Sequence, residues 1–329
     1  MKISICIPTF NQSKYLILAI NSAINQSIQP YEIIVSDDCS TDETPNVLSS
    51  LSKIITNLKI IRNEQNLGIS GNTDKCLRQA TGDYIIRLDS DDYLSPLFSE
   101  KLIKMLLLHP LAGYAHAAVQ EIDQDGNFVR KRLLVRNSGF QVSTEALESA
   151  VKGYRVAANI IMFRRSALVD VGFITGRPNY VEDYHLSASL AASGYGNVYL
   201  NEILSYYRKW VDEAKVRQRR KLLEIIGLSK VFNEVLEPAF KERQWDISRI
   251  ARSRKALACS QADCLAWEVY TMREKYEIIQ ALSILSSSSK AKYYAWLYLN
   301  GFGKIIGLYN NFLNTPKSII KNVIFRIKA

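Results

Sequence analysis

Three short acidic stretches hold the residue types that could do chemistry: Asp37-Asp38 in YEIIVSDDCSTDET, Asp89, Asp91 and Asp92 in RLDSDDYL, and Glu182-Asp183 in NYVEDYHLSAS. Asp89 and Asp91 lie two apart, so at the end of an extended strand both carboxylates would face one side. Carboxylates crowded without partners repel one another and resist ionisation. A hard divalent cation, magnesium or manganese carrying a diphosphate, relieves that repulsion. The bland alternative is a solvated Asp-rich turn with a helix cap. Asp92, on the alternate side, is expected to brace the turn through Tyr93-Leu94-Ser95-Pro96. Asp37-Asp38 reads either as a loop and helix cap or as a nucleotide pocket, where a carboxylate accepts from a base N–H or a ribose hydroxyl. Glu182-Asp183 alone reads as the acidic first turn of a helix.

The elements that would position these residues alternate along the first hundred positions. Apolar runs at Ile3 to Ile7, Tyr31 to Ser36, Leu58 to Arg62 and Tyr84 to Leu88 predict strands. Between them, Lys14 to Gln26, Asp42 to Leu51 and Gly71 to Gln79 predict helices. Strand and helix alternation predicts an open, mostly parallel α/β sheet, whose ligands bind beyond the carboxyl ends of the strands. Each predicted strand ends in reactive types: Pro8-Thr9-Phe10-Asn11, Asp37-Asp38, Arg62-Asn63 and Asp89-Ser90-Asp91. Four strand ends thus converge on one crevice. From about Gly113 the pattern predicts shorter strands and loops, and residues 211–329 read as mainly helical.

Charge divides the chain unevenly. Residues 1–210 hold 21 Lys/Arg and 21 Asp/Glu, whereas residues 211–329 hold 21 and 11, so the net charge of +10 lies entirely in the last third. A segregated basic segment points to a polyanionic partner, nucleic acid or an anionic membrane, or to a plain solvated face. From Ile278 onward there are seven Lys/Arg and no acidic residue, with Tyr293, Tyr294, Trp296, Tyr298, Phe302, Tyr309 and Phe312 interleaved. After Asn314-Thr315-Pro316, Ile319, Ile320, Val323, Ile324 and Ile327 form one apolar stripe beside Lys317, Lys321 and Lys328. Helices of that composition lie on anionic membrane surfaces; packing against the rest of the protein or a second subunit is the alternative. The five cysteines show no metal-type spacing, which predicts free thiols in a reducing, cytoplasmic setting. Neither a signal peptide nor a membrane-spanning helix is expected.

Taken together, the motifs resemble the family 2 glycosyltransferases of the GT-A fold. ISICIPTFNQSKYLILAINSAINQS is similar to that family's opening strand and helix, and YEIIVSDDCSTDET to its nucleotide-binding turn. NLGISGNTDKCLRQATGDYIIRLDSDD resembles the path into its Asp-x-Asp motif, and GFITGRPNYVEDYHLSASLAASGY its acceptor-side Glu-Asp segment. The resemblance covers residues 2 to about 210. It implies a catalytic domain over 1–210, with a nucleotide-binding half (1–105) and an acceptor half (106–210), followed by a helical, basic and aromatic extension over 211–329. It implies that Asp38 contacts the base, with Asp37 nearby and Pro8, Thr9 and Phe10 walling the base and ribose site. Asp91 would bind a divalent metal, Mn2+ or Mg2+, with Asp89 supporting it near the ribose, and Asp183 would be the general base of an inverting transfer. The implied donor is a nucleotide sugar, UDP-linked by preference. The implied acceptor is a lipid-linked saccharide of bacterial surface polysaccharide synthesis, reached by an enzyme peripheral to the inner membrane face.

Three positions depart from the family pattern. Thr73 and Asp74 stand where many relatives carry a basic residue and Asn. Trp210, in LSYYRKW, stands where a histidine often helps hold the metal. His185 sits beside the implied base, where a packing role is expected over metal ligation; His109 and His116 belong to no motif. Two rival readings remain at this level. A nucleic-acid-binding protein would use the basic last third, but no recognition motif is visible and no nucleic-acid partner is expected. A nucleotidyltransferase would need a basic phosphate loop that Pro8 to Ser13 does not supply, and Gly68-Ile69-Ser70-Gly71 is too weak a glycine pattern to serve.

Overall fold

The computed structural model describes residues 1–303 except 175, 178 and 212–214. The chain forms two units, residues 1–211 with 230–245, and residues 212–229 with 246–329.

The first unit is organised by one sheet. Its early elements are β1 (Ile3–Thr9), α1 (Ser13–Ile24), β2 (Glu32–Asp37), α2 (Thr44–Leu51), β3 (Leu58–Arg62), α3 (Gly68–Arg78) and β4 (Tyr84–Arg87). Then follow β5 (Tyr93–Leu94), α4 (Phe98–Leu108), β6 (Ala112–Ile122), β7 (Phe128–Arg132), β8 (Gly139–Gln141) and α5 (Ser143–Ala150). The last are β9 (Ile161–Arg164), α6 (Arg165–Asp170), α7 (Glu182–Ala192) and β10 (Gly196–Arg208). The strand order is β3-β2-β1-β4-β9-β6-β10-β5, with β7 paired to β6 and β8 to β10. Strands β1 to β4 run parallel, β9 runs antiparallel to both β4 and β6, and β10 is parallel to β6. The order reverses at β1, which has β2 on one side and β4 on the other. Crevices open at such reversals, beyond the carboxyl ends of the strands.

Apolar runs become strands here because both faces of the sheet are covered. Ile5, Ile7, Ile33, Val35 and Ile86 point to one face, onto Leu16 and Ile20 of α1, Leu48 of α2 and Leu102 of α4. Cys6, Ile34 and Ile85 point to the other, onto Cys76 and Leu77 of α3, Leu168 of α6 and Leu186 of α7. Gly82 before β4 answers a close approach: a Cβ there would lie 2.8 Å from Lys2 O and 2.9 Å from Ser4 N.

Beyond Gly113 the structure departs from the predicted short strands and loops. The two longest strands of the described chain lie there, β6 with 11 residues and β10 with 13. Every β6 residue is buried, and β10 carries register shifts between Leu200 and Ile203 and between Ile203 and Ser205.

In the second unit the described residues are mainly helical, including Ser248–Gln261, Met272–Leu285 and Ser289–Leu299. Thr271 and Glu274 close a reciprocal capping box on the middle helix, and Ile278, Leu282 and Leu285 on that helix are buried. Tyr293, Trp296 and Phe302 are exposed. Tyr309, Phe312, the Asn314-Thr315-Pro316 start and the isoleucine stripe after it lie outside the described residues. Among the described residues, no helix is long and apolar enough to cross a membrane. All five cysteines are free thiols.

Candidate active site

The loops after β1 and β2 are laced together by hydrogen bonds. Asp38 N donates to Thr9 O at 2.9 Å, Asn11 N to Ser40 Oγ at 2.9 Å, and Thr41 N to Asn11 Oδ1 at 2.8 Å. Asn11 and Cys39 take left-handed backbone conformations, φ 51° and 63°, to make these turns. One Asp42 oxygen accepts from Ser13 N and the other from Thr44 N, so this carboxylate anchors the starts of both α1 and α2. Burial works against its charge, but those hydrogen bonds, from Thr44 foremost, bring it down to about 2.

Asp38 is buried, and its Oδ1 accepts from Asn63 Nδ2 and Leu67 N, each at 2.8 Å. Asn63 also donates to Asn72 Oδ1, and Asn72 Nδ2 donates to Ser36 O. Asp37 Oδ1 accepts from Ser40 N, while its buried Oδ2 has no hydrogen-bond partner and stands 3.8 Å from Arg62 Nε. Thr9 Oγ1 is likewise buried and unbonded, and Phe10 is 44% exposed. This loop thus holds a fixed carboxylate, two buried polar atoms without hydrogen-bond partners and an exposed aromatic ring.

Strand β4 ends at Arg87, and Asp89 to Asp92 form a turn closed by Asp92 N donating to Asp89 O at 3.0 Å. This corrects the extended arrangement expected for Asp89 and Asp91, because the chain reverses here to enter β5. Asp92 is the structural member: it is buried and accepts from Arg208 N at 2.7 Å. Arg208 Nε donates to Asp91 O, its Nη1 donates to Asp123 O and Gln124 O, and its guanidinium lies 4.3 Å from the Tyr15 ring centre. Asp91 Oδ2 accepts from Trp210 Nε1 at 2.5 Å. An indole N–H donates and cannot ligate a metal, so Trp210 orients the Asp91 carboxylate instead of replacing a histidine ligand. Burial first, and Asp89 in addition, push the Asp91 carboxyl up against the hydrogen bond from Trp210.

Arg87 joins this turn to the acceptor half. Only 2% exposed, it donates from Nε to Asp89 Oδ1 at 3.1 Å and from Nη1 to Asp183 Oδ1 at 2.5 Å. Burial opposes its charge, but Asp183 and then Asp89 outweigh that and hold the guanidinium protonated. Asp183 occupies the first turn of α7; Glu182 beside it is buried with Oε2 unbonded. Burial pushes the Asp183 carboxyl up to about 7, with Arg87 pulling down and Glu182 and Asp89 adding to the rise. Helix α7 is held from below by Arg177, which donates to Phe173 O, Val171 O and Ser189 Oγ. His185 packs between Arg177, 2.6 Å from Nδ1, and Glu234, 3.1 Å from Nε2. Burial and then Arg177 lower its basicity against the opposing pull of Glu234, and its contacts are those of a packing residue. Asp74 accepts from Ile174 N and Arg78 Nε, tying α3 to the chain that leads into α7. Thr73 Oγ1 donates to Ile69 O, inside α3. His116 is fully buried in β6, and His109 stacks on Phe140.

Patterning gives no signal for Arg87, which sits inside an apolar run as if it were the strand's polar end. A carboxylate cluster that size needs a cation, and that charge argument alone could have singled it out. A metal, for its part, finds no ready-made cage: among the described residues, no group of three His, Cys, Asp or Glu is arranged to hold one. Asp91 and Asp89 offer one or two carboxylates. That donor set suits magnesium or manganese, which keeps waters and takes further oxygens from a bound diphosphate.

Known proteins place this architecture in a class. The fold is that of GT-A glycosyltransferases: Staphylococcus aureus TarS 1–349 superposes with a TM-score of 0.63 at 17% identity, covering 94% of this chain and 92% of that one. TarS 1–349 has also been solved with UDP and with UDP-GlcNAc. The mannosyltransferase PcManGT of Pyrobaculum calidifontis, solved with GDP-Man and Mn2+, superposes at 0.55 with 16% identity over 94% of this chain and 87% of that one. The model of Glycosyl transferase family 2 matches residues 4–172, and the chain belongs to that family. Among its relatives, a Campylobacter jejuni GalNAc(5)-diNAcBac-PP-undecaprenol beta-1,3-glucosyltransferase is 36% identical over 40% of this chain and 41% of its own length. The putative teichuronic acid biosynthesis glycosyltransferase TuaG of Bacillus subtilis is 27% identical over 63% of this chain and 78% of its own. The chain therefore spans under half of the first relative and most of the second.

Removing the cation from between two carboxylates leaves both uncompensated. Arg87→Met is expected to lose about 3–5 kcal/mol of stability at pH 8, and less at pH 5, where the freed carboxyls protonate. Urea unfolding at the two pH values measures this; an equal, small loss at both would contradict the ion-pair account.

Proposed function

We propose that the protein is a metal-dependent, inverting glycosyltransferase that moves a sugar from a nucleotide diphosphate, UDP by preference, to a hydroxyl of a lipid-linked saccharide. The observation that carries this reading is the Arg87 clamp, which fixes Asp183 beside the Asp89–Asp91 turn at the carboxyl end of β4, next to β1 where the sheet order reverses. Asp38 takes the base ring, with Asp37 next to it and Pro8, Thr9 and Phe10, the last of these exposed, as the wall. Asp89 faces the ribose side. Asp91, oriented by Trp210, would hold the Mn2+ or Mg2+ ion, which when bound stabilises charge growing on the departing diphosphate. Asp183 takes the proton of the acceptor hydroxyl as its oxygen attacks the anomeric carbon from the opposite face, so the configuration inverts in one displacement. Throughout, Arg87 holds the carboxylate toward the crevice.

A base must be ionised to act. With the Asp183 carboxyl near 7, kcat/KM for transfer should fall as pH drops below about 7 and level off above it. Asp183→Asn should lose about 10²- to 10⁴-fold in kcat and lose that acid limb, while UDP with manganese still protects it from thermal unfolding. Asp91→Ala should lose the manganese-dependent part of that protection. Full activity in Asp183→Asn would move the base elsewhere, and undiminished manganese dependence in Asp91→Ala would remove Asp91 from the metal site.

We also propose that the enzyme works at the inner face of the cell membrane, reached from the cytoplasm. Support comes from the exposed rings of Tyr293, Trp296 and Phe302, which stack in series beside the exposed Lys290 and Lys292. Rings and lysines of this kind dock on anionic lipid headgroups. The full chain should float with anionic but not neutral liposomes, and a Tyr293→Ala, Trp296→Ala, Phe302→Ala variant should float several-fold less. Flotation that the variant leaves unchanged would take the docking role away from this patch.

A further inference from the structure

Away from the catalytic carboxylates, the chain between β7 and β9 builds a cavity of about 280 Å³ lined by Arg136, Gln141, Ser149, Lys152 and Arg155, with Leu134 and Val135 at its edge. Three cations and no carboxylate line it. Arg136 is half-buried; its Nη1 donates to Gln141 Oε1 at 2.8 Å and its Nη2 to Asn197 Oδ1, both neutral acceptors. Its Nε is buried with no partner at all. Arg155 reaches only the carbonyls of Ser149 and Lys152, at 3.4 and 3.3 Å. Among the described residues, no carboxylate stands within ion-pair distance of Arg136, Lys152 or Arg155.

That arrangement is costly without a ligand. A guanidinium drawn into the protein gives up water; its side-chain hydrogen bonds here go only to amide oxygens, and burial lowers its basicity although Tyr114, Tyr199 and Glu145 support its charge from further away. Its Cζ lies 5.4 Å from the Tyr199 ring centre, and Tyr199 in turn accepts from Leu134 N, so the head group is fixed in place. A guanidinium fixed in the wall with two exposed cations beside it matches the tetrahedral oxygens of a phosphate. The volume lies at the lower edge of small-molecule sites, about 300–1,000 Å³. It has room for a phosphate or diphosphate and is tight for a nucleotide sugar.

Its position gives the anion a purpose. Helix α5 and the loop after it, which supply Ser149, Lys152 and Arg155, pack on the start of α7: the Tyr184 hydroxyl donates to Ala150 O at 2.5 Å, one residue along from Asp183. We propose that this pocket binds a phosphate group, the one carried by a phosphorylated glycan acceptor, and so anchors that acceptor beside Asp183. The acceptor part rests on the transferase reading above; the anion part does not.

The test uses the full chain and a Lys152→Glu, Arg155→Glu variant, whose side chains are exposed and make no partner beyond backbone carbonyls. Calorimetry with inorganic phosphate and pyrophosphate, in EDTA and without donor, should give saturable single-site binding to the wild type that weakens at least 10-fold in the variant. No saturable binding, or equal binding to both proteins, would overturn the site whatever the enzyme's activity. In a second arm, the variant should raise KM about 10-fold for a saccharide carried on a polyprenyl diphosphate, and leave KM unchanged for the donor and for the same saccharide without phosphate. Binding in the first arm with no such discrimination in the second would make this a free-phosphate pocket and overturn the acceptor assignment. Donor protection by UDP and manganese, intact in both proteins, separates either failure from a failure of the catalytic reading.

Discussion

A guanidinium buried at the end of a central strand cannot exist alone, and the organisation of this protein around its crevice follows from that constraint. Arg87 is fixed by register on both sides, opposite Cys6 of β1 and Ile161 of β9. Its charge must be met where the strand leaves it. Asp89 meets it from the next turn, and Asp183 meets it from a helix 96 residues further along the chain. One ion-pair cluster thereby welds the turn after β4 to the start of α7, and sets the spacing between the two carboxylates on which the proposed chemistry depends. In a low-dielectric setting such an assembly is strongly held while complete and costly when one member is missing.

The other contacts at the crevice extend the same logic with neutral donors. Asn63 and Asn72 link Asp38 to Ser36 and the end of β1, and Arg208 with Trp210 brings the end of β10 onto the Asp91 turn. Each carboxylate is oriented before substrate binds, which lowers the reorganisation needed during reaction. Such orientation gives Trp210 a role at the Asp91 turn. The indole contributes no metal bond, but it directs Asp91 and packs edge-on against Tyr15 at 5.3 Å.

Much of this was legible in the sequence because the first four strands are apolar runs ending in polar motifs, a pattern with few alternatives in an α/β sheet. The strand-end carboxylates were found by type and place. What escaped did so for physical reasons. Strand β6, AGYAHAAVQEI, is rich in alanine and includes His116, Gln120 and Glu121, so neither strand propensity nor alternation marks it, although all of it is buried. Strand β10 shifts register within its length, and bulges destroy the two-residue period that patterning looks for. The partnership of Arg87 with Asp183 joins distant segments and leaves no local trace. The turn at Asp89 to Asp92 reads in sequence as a strand end because the same residues suit both.

If the clamp sets the base, its effect on catalysis must pass through Asp183. A double-mutant cycle of Arg87→Lys and Asp183→Asn tests this directly, since lysine keeps the charge but cannot reach both carboxylates as a fork. Arg87→Lys should lower kcat at least 10-fold in the wild type, with donor KM unchanged, and cost less than 2-fold more in the Asp183→Asn background. An equal loss in both backgrounds would show that Arg87 acts independently of Asp183 and would contradict the account.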